Sequence, residues 1–150
     1  MEGGVTSVSA ASGPVHRTPF GDSLRWITGE EATGGAYSLH ERAAPPGAAS
    51  ILHVHSRVSE AFYVLEGEFT FELDGRTVNA GPGDYVHAPA SVSHAWRVTS
   101  SGDPARALVL FAPSVPLAFF EEIDAAVSET PGARPDLRQL AAINEKYGLT

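Results

Sequence analysis

The sequence predicts an all-β fold, an antiparallel sandwich or small jelly-roll barrel, with short C-terminal helices packed outside it. Three observations support this. Short segments rich in β-branched and aromatic residues recur at spacings near ten residues, with turn-forming residues between them. The dipeptide Asp74-Gly75 separates two such segments and favours a two-residue hairpin. Beyond Pro113 the apolar residues recur at helical spacing instead. A jelly-roll barrel of about eight strands can enclose a site in its interior.

The predicted strands are short and are bounded by turn signals. The runs S-L-R-W-I-T and A-Y-S-L-H-E-R precede a loop at residues 43–49, whose prolines lack the donor that a central strand needs. A tight turn is predicted at Gly67. The later strands are predicted at residues 50–55, 60–65, 69–73, 76–79, 84–88, 94–99 and 106–111.

We divide the chain into three parts: a mobile N-terminal tail (residues 1–17), a β-barrel (18–113) and a C-terminal helical extension (114–150). The tail is small and polar, with no apolar periodicity. A single domain is expected for 150 residues.

Two helices are predicted in the extension. The run L-A-F-F-E-E-I-D-A-A-V-S places Phe119 on its apolar face, and packing outside the barrel is the simplest arrangement. A lid over the barrel mouth, with Phe119 or Phe120 facing substrate, is the alternative. After a T-P-G-A-R-P-D linker, Asp136 is the expected N-cap of L-R-Q-L-A-A-I-N-E-K-Y, and Gly148 is its expected stop.

Composition limits the partners. The formal net charge of −8 opposes nucleic-acid binding, which needs a basic face. No segment approaches the roughly 18 apolar residues of a membrane span, and the N-terminus lacks the pattern of a secretory signal. A cytoplasmic protein without membrane contact is therefore expected. Cysteine is absent, so His and carboxylate are the strong metal ligands that remain.

Four residues form a candidate metal site: His53, His55, Glu60 and His94, hereafter the tetrad. Residues two apart on a strand point to one face, so both imidazoles of H-V-H can reach a common point. A single such histidine is more often a core residue than a ligand. Glu60 and His94 follow H-V-H in the chain, and turns that contain Gly and Pro separate these residues. The spacing of all four residues together favours one divalent transition metal ion per chain: Fe, Mn, Ni, Co, Cu or Zn.

Two segments resemble the motifs of the cupin superfamily. G-A-A-S-I-L-H-V-H-S-R-V-S-E-A-F-Y-V-L-E-G resembles the first motif, and G-D-Y-V-H-A-P-A-S-V-S-H resembles the second. The second departs from the family at Ser91, where glycine is usual, and at Val98, where asparagine is frequent. The resemblance covers about residues 34–113 and implies that the family's three-histidine, one-glutamate ligand set falls on the tetrad.

Alternation along the strands predicts the residues around the tetrad. Ile51 shares a face with His53 and His55, and His40 could line the barrel from the preceding strand. An apolar, dry cavity that suits an aromatic or bulky organic substrate is predicted. The predicted substrate-pocket residues are Ile51, Phe62, Val64, Trp96, Val98 and Phe119, of which Phe62 and Trp96 could equally be barrel core.

The chain resembles the quercetin 2,3-dioxygenase-type monocupins in F-Y-V-L-E-G-E-F-T-F and the flanking segments. This resemblance implies a metal-dependent dioxygenase for a flavonol-like or other enolisable aromatic molecule, with O₂ as co-substrate and Glu60 as catalytic base. Two alternatives stay open: a metal-dependent isomerase, cyclase or lyase, and a non-catalytic small-molecule-binding cupin. The resemblance also implies a homodimer.

Overall fold

Two antiparallel β-sheets packed face to face form the protein. The computed structural model describes residues 4–128 and 136–150. In those residues the strands are β1 (Val15–Arg17), β2 (Ser23–Thr28), β3 (Ser38–Ala44), β4 (Ser59–Glu66), β5 (Phe69–Leu73), β6 (Arg76–Ala80), β7 (Tyr85–Ala88), β8 (His94–Val98) and β9 (Ala105–Ala112), and the helices are α1 (Glu30–Thr33), α2 (Leu117–Ser128) and α3 (Leu137–Lys146).

The larger sheet has the strand order β1-β2-β3-β9-β4-β7, and the smaller has the order β6-β5-β8. All of these strand pairs are antiparallel. Strand β9 lies between β3 and β4, so residues far apart in sequence become neighbours in the larger sheet. The predicted all-β antiparallel fold is confirmed, and its barrel consists of two separately hydrogen-bonded sheets.

The core lies between the sheets because buried and less buried residues alternate along the strands. Alternate residues of β3 and β9 are buried along the whole length of both strands. The smaller sheet contributes Phe69, Phe71 and Trp96, and β4 contributes Phe62 and Val64. The aromatic rings contact one another, with the Phe62 and Phe71 centroids 4.8 Å apart. This packing fixes the two inner faces against each other.

The predicted turns occur where the sequence places them. Asp74 and Gly75 both have positive φ, as a two-residue hairpin between β5 and β6 requires. Gly67 connects β4 of one sheet to β5 of the other. A Cβ at Gly67 would lie 2.7 Å from the Cβ of Ala105, so the corner has no room for a side chain.

The N-terminal boundary differs from the prediction in one respect. The last three residues of the predicted tail form β1, which pairs with β2. Because Val15 pairs with Arg25 at the sheet edge, the short strand is held by main-chain bonds that no apolar periodicity reveals. The division of the chain into tail, barrel and extension otherwise stays a prediction.

Both predicted helices are present in the extension. Phe120 of α2 is buried in the barrel core, whereas Ile123 and Ala126 pack with Leu140 and Ile143 of α3. The Asp136 side chain accepts a hydrogen bond from the Arg138 amide, which confirms the predicted cap. Most of the predicted linker, residues 130–135, lies outside the described residues. Gly148 adopts positive φ directly after α3, as expected of a helix stop.

Among the described residues, no helix is both long enough and apolar enough to cross a membrane.

Candidate metal centre

The segment that carries His53 and His55 is extended but is not a regular strand. It runs beside β8 and touches it through isolated bridges, Ala49 with Arg97 and His53 with His94. The two bridges are four positions apart on one side and three on the other, so the segment contains one extra residue, as in a bulge. The predicted strand at residues 50–55 is therefore wrong.

The bulge changes which side chains face the interior. Ile51 is 65% exposed, so it does not join the buried lining for which it was predicted. His53 exchanges both backbone hydrogen bonds with His94, N to O at 3.0 and 2.9 Å. This bridge places the two imidazoles side by side, with ring centroids 4.3 Å apart.

A turn before β8 fixes the position of His55. Ser91 has a φ of 69°, a left-handed conformation that glycine adopts more easily, which explains the glycine usual at this position in cupins. Its amide donates to the carbonyl oxygen of His55 at 2.8 Å, and its hydroxyl donates to that of Ser56 at 3.3 Å. Serine at position 91 therefore keeps the turn, and its two hydrogen bonds connect the turn to the segment that carries His53 and His55.

All four tetrad residues meet at one point. Their nearest ligand atoms lie within 4.8 Å of one another. Glu60 Oε2 is 3.0 Å from His94 Nε2 and 3.6 Å from His55 Nε2. Glu60 and His94 are buried, on β4 and β8 respectively, and thus come from opposite sheets. The structure brings together the residues that the sequence singled out.

Each imidazole is oriented by a backbone carbonyl. Nδ1 of His53 lies 2.7 Å from the Ile51 oxygen, Nδ1 of His94 lies 3.0 Å from the Val92 oxygen, and Nδ1 of His55 lies 3.3 Å from the Leu149 oxygen. Because a carbonyl oxygen only accepts, each Nδ1 must carry the hydrogen. In a neutral imidazole the lone pair is then on Nε2, which is the form a metal ion binds.

The electrostatics favour an ionised Glu60. Burial alone would raise its pKa, but the neighbouring imidazoles of His55 and His94 and the charge of Arg42 hold that pKa well below its usual range. Burial lowers the pKa of His53 to about 4, which keeps its ring neutral near pH 7. Burial also acts to lower the pKa of His94, but the hydrogen bond and charge of Glu60 outweigh it and raise that pKa.

These observations fit a divalent transition metal. Donors that share one ion at about 2.0–2.2 Å lie about 3–4 Å from one another, close to the spacing found here. Three neutral nitrogens and one carboxylate oxygen suit borderline ions such as Fe, Mn, Co, Ni, Cu and Zn. The tetrad could therefore hold such an ion with small movements of its side chains.

The region next to the tetrad is not uniformly apolar, contrary to the prediction. Arg42 and His40, both on the inner face of β3, are buried in the barrel. The Arg42 Nη2 atom is 4.0 Å from Glu60 Oε1, and its Nε donates to Asp22 Oδ2 at 2.8 Å. The alternation of A-Y-S-L-H-E-R indicates that His40 and Arg42 share a face, although only His40 was predicted to line the barrel.

The other predicted pocket residues are largely part of the core. Phe62, Val64, Trp96 and Val98 are buried. Trp96 and Phe62 lie against the Arg42 guanidinium, at 4.4 and 5.6 Å from their ring centroids. Their contact with substrate stays a prediction.

The C-terminal extension contacts the interior through Phe120, which the lid alternative named, and through Leu149, which the sequence did not identify. Phe119 is partly buried and packs on Tyr147, whereas Phe120 points inward and lies 4.4 Å from the His40 ring, centroid to centroid. Leu149 is buried in the barrel core, and its carbonyl oxygen faces His55. Helix α2 and the segment after α3 thus cover part of the site.

The fold and the tetrad define a two-sheet β protein with an internal cluster of residues that could hold a metal ion. A family model described as a cupin domain matches residues 41–111. Among solved structures, TT1209 of Thermus thermophilus is 30% identical with a TM-score of 0.52, over 61% of this chain and 84% of that one. The chain belongs to the cupin superfamily.

The chain is also similar to two other proteins. Quercetin 2,3-dioxygenase of Bacillus subtilis (strain 168) is 34% identical over 90 residues, which make up 59% of this chain and 27% of that enzyme. The chain thus spans about a quarter of the length of that relative. A predicted oxalate decarboxylase of Thermotoga maritima shares 21% identity and a TM-score of 0.65, over 72% of this chain and 99% of that one; this likeness shows the fold alone.

Proposed function

We propose that the tetrad holds one divalent transition metal ion per chain and that the protein is a metal-dependent dioxygenase of the quercetinase type. Its substrate would be a flavonol-like or other enolisable aromatic molecule, with O₂ as the second reactant. The observation that carries the proposal is the convergence of three imidazoles, each held through Nδ1 by a backbone carbonyl, with the Glu60 carboxylate. The identity with quercetin 2,3-dioxygenase supports the reaction class.

The tetrad would hold the metal through the three Nε2 atoms and one oxygen of Glu60. When bound, the ion supplies Lewis acidity and coordination positions beyond those that the protein fills. The carbonyls of Ile51, Val92 and Leu149 keep the rings oriented, as outer partners of ligating histidines commonly do.

Glu60 is the proposed catalytic base. Its Oε2 faces His55 and His94, whereas its Oε1 lies 4.0 Å from Arg42 Nη2, beyond hydrogen-bond distance. A carboxylate with one oxygen so placed can accept the proton of a substrate hydroxyl at Oε1. The charge of Arg42 favours the ionised form of Glu60, which is the form that accepts a proton. Phe111, Phe120 and Leu149 are buried in the same core, so the interior around the tetrad is largely apolar on their side.

A second candidate is a metal-dependent isomerase, cyclase or lyase that uses Glu60 as base without O₂. The buried Arg42 beside Glu60 favours it, since a fixed positive charge stabilises an anionic intermediate in any of these reactions.

An oxygen electrode separates the candidates. Protein reconstituted with Fe²⁺, Mn²⁺ or Ni²⁺ is mixed with quercetin, aerobically and anaerobically, with Glu60→Gln as the matched variant. Consumption of O₂ that requires both metal and Glu60 is the expected result. Substrate conversion that is equal with and without O₂ favours the second candidate. Tight binding with no conversion under either condition would indicate a non-catalytic binding cupin and contradict the proposal.

Homodimer formation and a cytoplasmic location remain predictions. Light scattering coupled to size exclusion checks the first, with a mass near twice 15.8 kDa as the expected result.

A further inference from the structure

Two buried side-chain nitrogens stand out in the part of the chain that the structure describes, because neither has a hydrogen-bond partner. They are Nε2 of His40 and Nη1 of Arg42. Both residues project from the inner face of β3, two positions apart, next to the tetrad. A buried donor without a partner is energetically unfavourable, so native structures seldom retain one unless a ligand or ordered water completes it.

The surroundings of Arg42 hold its guanidinium in place. Its Nε donates to the buried Asp22, and its plane lies over Trp96. These contacts orient the group, place Nη2 4.0 Å from Glu60 Oε1 and leave the donors of Nη1 unused. A guanidinium held in this way loses little conformational entropy when it binds a planar anionic group such as a carboxylate.

The net charge of the buried side chains also favours an anionic ligand. Asp22 and Glu60 carry one negative charge each and Arg42 carries one positive charge, so the side chains sum to −1 when the histidines are neutral. A divalent ion on the tetrad changes this sum to +1. An uncompensated charge in a buried site is costly, and a monoanionic ligand would neutralise it.

His40 adds a neutral donor. Burial, reinforced by the charge of Arg42, lowers its pKa to about 3. Its ring is packed between Trp26 and Phe111, with centroid distances of 5.2 and 5.5 Å, and cannot easily reorient. A neutral imidazole offers one N–H, which can support an anionic oxygen without adding charge.

We propose that Arg42, with His40 beside it, forms an anion-binding subsite that takes a carboxylate of the substrate while the rest of the substrate occupies the tetrad. The inference rests on the proposed function, because it assumes a metal ion at the tetrad. It narrows the substrate class to small enolisable or aromatic acids. A neutral flavonol would leave the Arg42 donors unused.

The test compares two ligands that share a metal-binding diol and differ in one carboxylate, 3,4-dihydroxybenzoate and catechol. Protein loaded with redox-inert Zn²⁺ is titrated calorimetrically with each ligand. Wild type is expected to bind 3,4-dihydroxybenzoate at least about tenfold more tightly, the size of effect typical of a charge-assisted hydrogen bond.

Three variants test whether Arg42 causes the tighter binding of 3,4-dihydroxybenzoate. Asp22→Asn combined with Arg42→Met removes both charges of the buried pair and should reduce the affinity ratio to about one while catechol affinity is kept. Arg42→Lys keeps the charge without the planar donors and should retain part of the preference. Arg97→Met removes an exposed guanidinium of β8 as a matched control and should leave the ratio unchanged.

Different results would contradict the anion-binding subsite and the proposed metal-dependent function. Zn²⁺-loaded wild type that binds both ligands equally, or that prefers catechol, overturns the inference alone. A preference that survives in the Asp22→Asn/Arg42→Met variant overturns it as well, since the carboxylate then binds elsewhere. A wild-type protein that takes up no Zn²⁺ overturns both.

Discussion

The buried pair formed by Arg42 and Asp22 allows a quantitative test of the barrel interior. The two side chains are 5% and 0% exposed, and the Nε–Oδ2 distance is 2.8 Å. The perturbation is Arg42→Met, which keeps an unbranched side chain of similar length and removes the charge. Asp22 then keeps the Thr18 hydroxyl as a hydrogen-bond partner but loses its counter-charge.

The expected loss follows from the burial of both groups. Removing one partner of a buried pair costs about 3–5 kcal/mol, because the remaining charge is left uncompensated. Loss of the guanidinium from the Trp96 ring adds about 1–2 kcal/mol. Asp22→Asn combined with Arg42→Met leaves no buried charge at this pair. The double variant is therefore expected to recover about 2–3 kcal/mol relative to Arg42→Met alone.

Urea denaturation followed by circular dichroism measures these free energies of unfolding. Arg97→Met is the control, since Arg97 and Glu72 are both about half exposed and 3.9 Å apart; its effect should stay within about 0.5 kcal/mol. A double variant that is as unstable as Arg42→Met, or less stable, would refute the account of the pair.

Three further predictions concern the site. Glu60→Gln should keep most of the bound metal but lose most turnover, which elemental analysis and an activity assay measure together. Equal loss of metal and turnover would indicate that Glu60 acts only as a ligand. His53→Ala combined with His94→Ala should empty the site of metal while circular dichroism still shows a folded barrel. The pKa of His40 lies at about 3 in the folded protein and near 6.5 when unfolded, so the unfolded chain binds the extra proton as pH falls below 6.5. The free energy of unfolding should therefore fall by about 2 kcal/mol between pH 6.5 and pH 5, and His40→Phe should lack this part of the fall in pH-dependent urea titrations.

The sequence predicted that the four tetrad side chains converge, because most of the pattern that indicates it is local. His53 and His55 stand two apart in an extended segment, and Glu60 follows five residues after His55, near the start of β4. The segment is a bulge and not a strand, yet both rings still reach the site, since the backbone bonds to His94 and Ser91 hold it extended. The prediction that Ile51 faces the interior was wrong, because it assumed uninterrupted alternation along the segment.

What the sequence did not reveal depends on contacts between distant segments. Arg42 is stabilised by Asp22 from another segment and by Trp96 from the opposite sheet, pairings that no local pattern encodes. The docking of Leu149 against His55 joins residues 94 positions apart. At α2 the sequence predicted the helix but could not decide whether Phe119 or Phe120 turns inward, because both lie near its apolar face.

Metal content tests the central claim most directly. Wild-type protein and the variant His53→Ala/His94→Ala are purified in parallel, incubated with each candidate divalent ion and desalted, and the bound metal is measured by inductively coupled plasma mass spectrometry. We expect about one ion per wild-type chain and close to none in the variant. Wild-type protein that retains no ion, or a variant that retains as much as wild type, would contradict it.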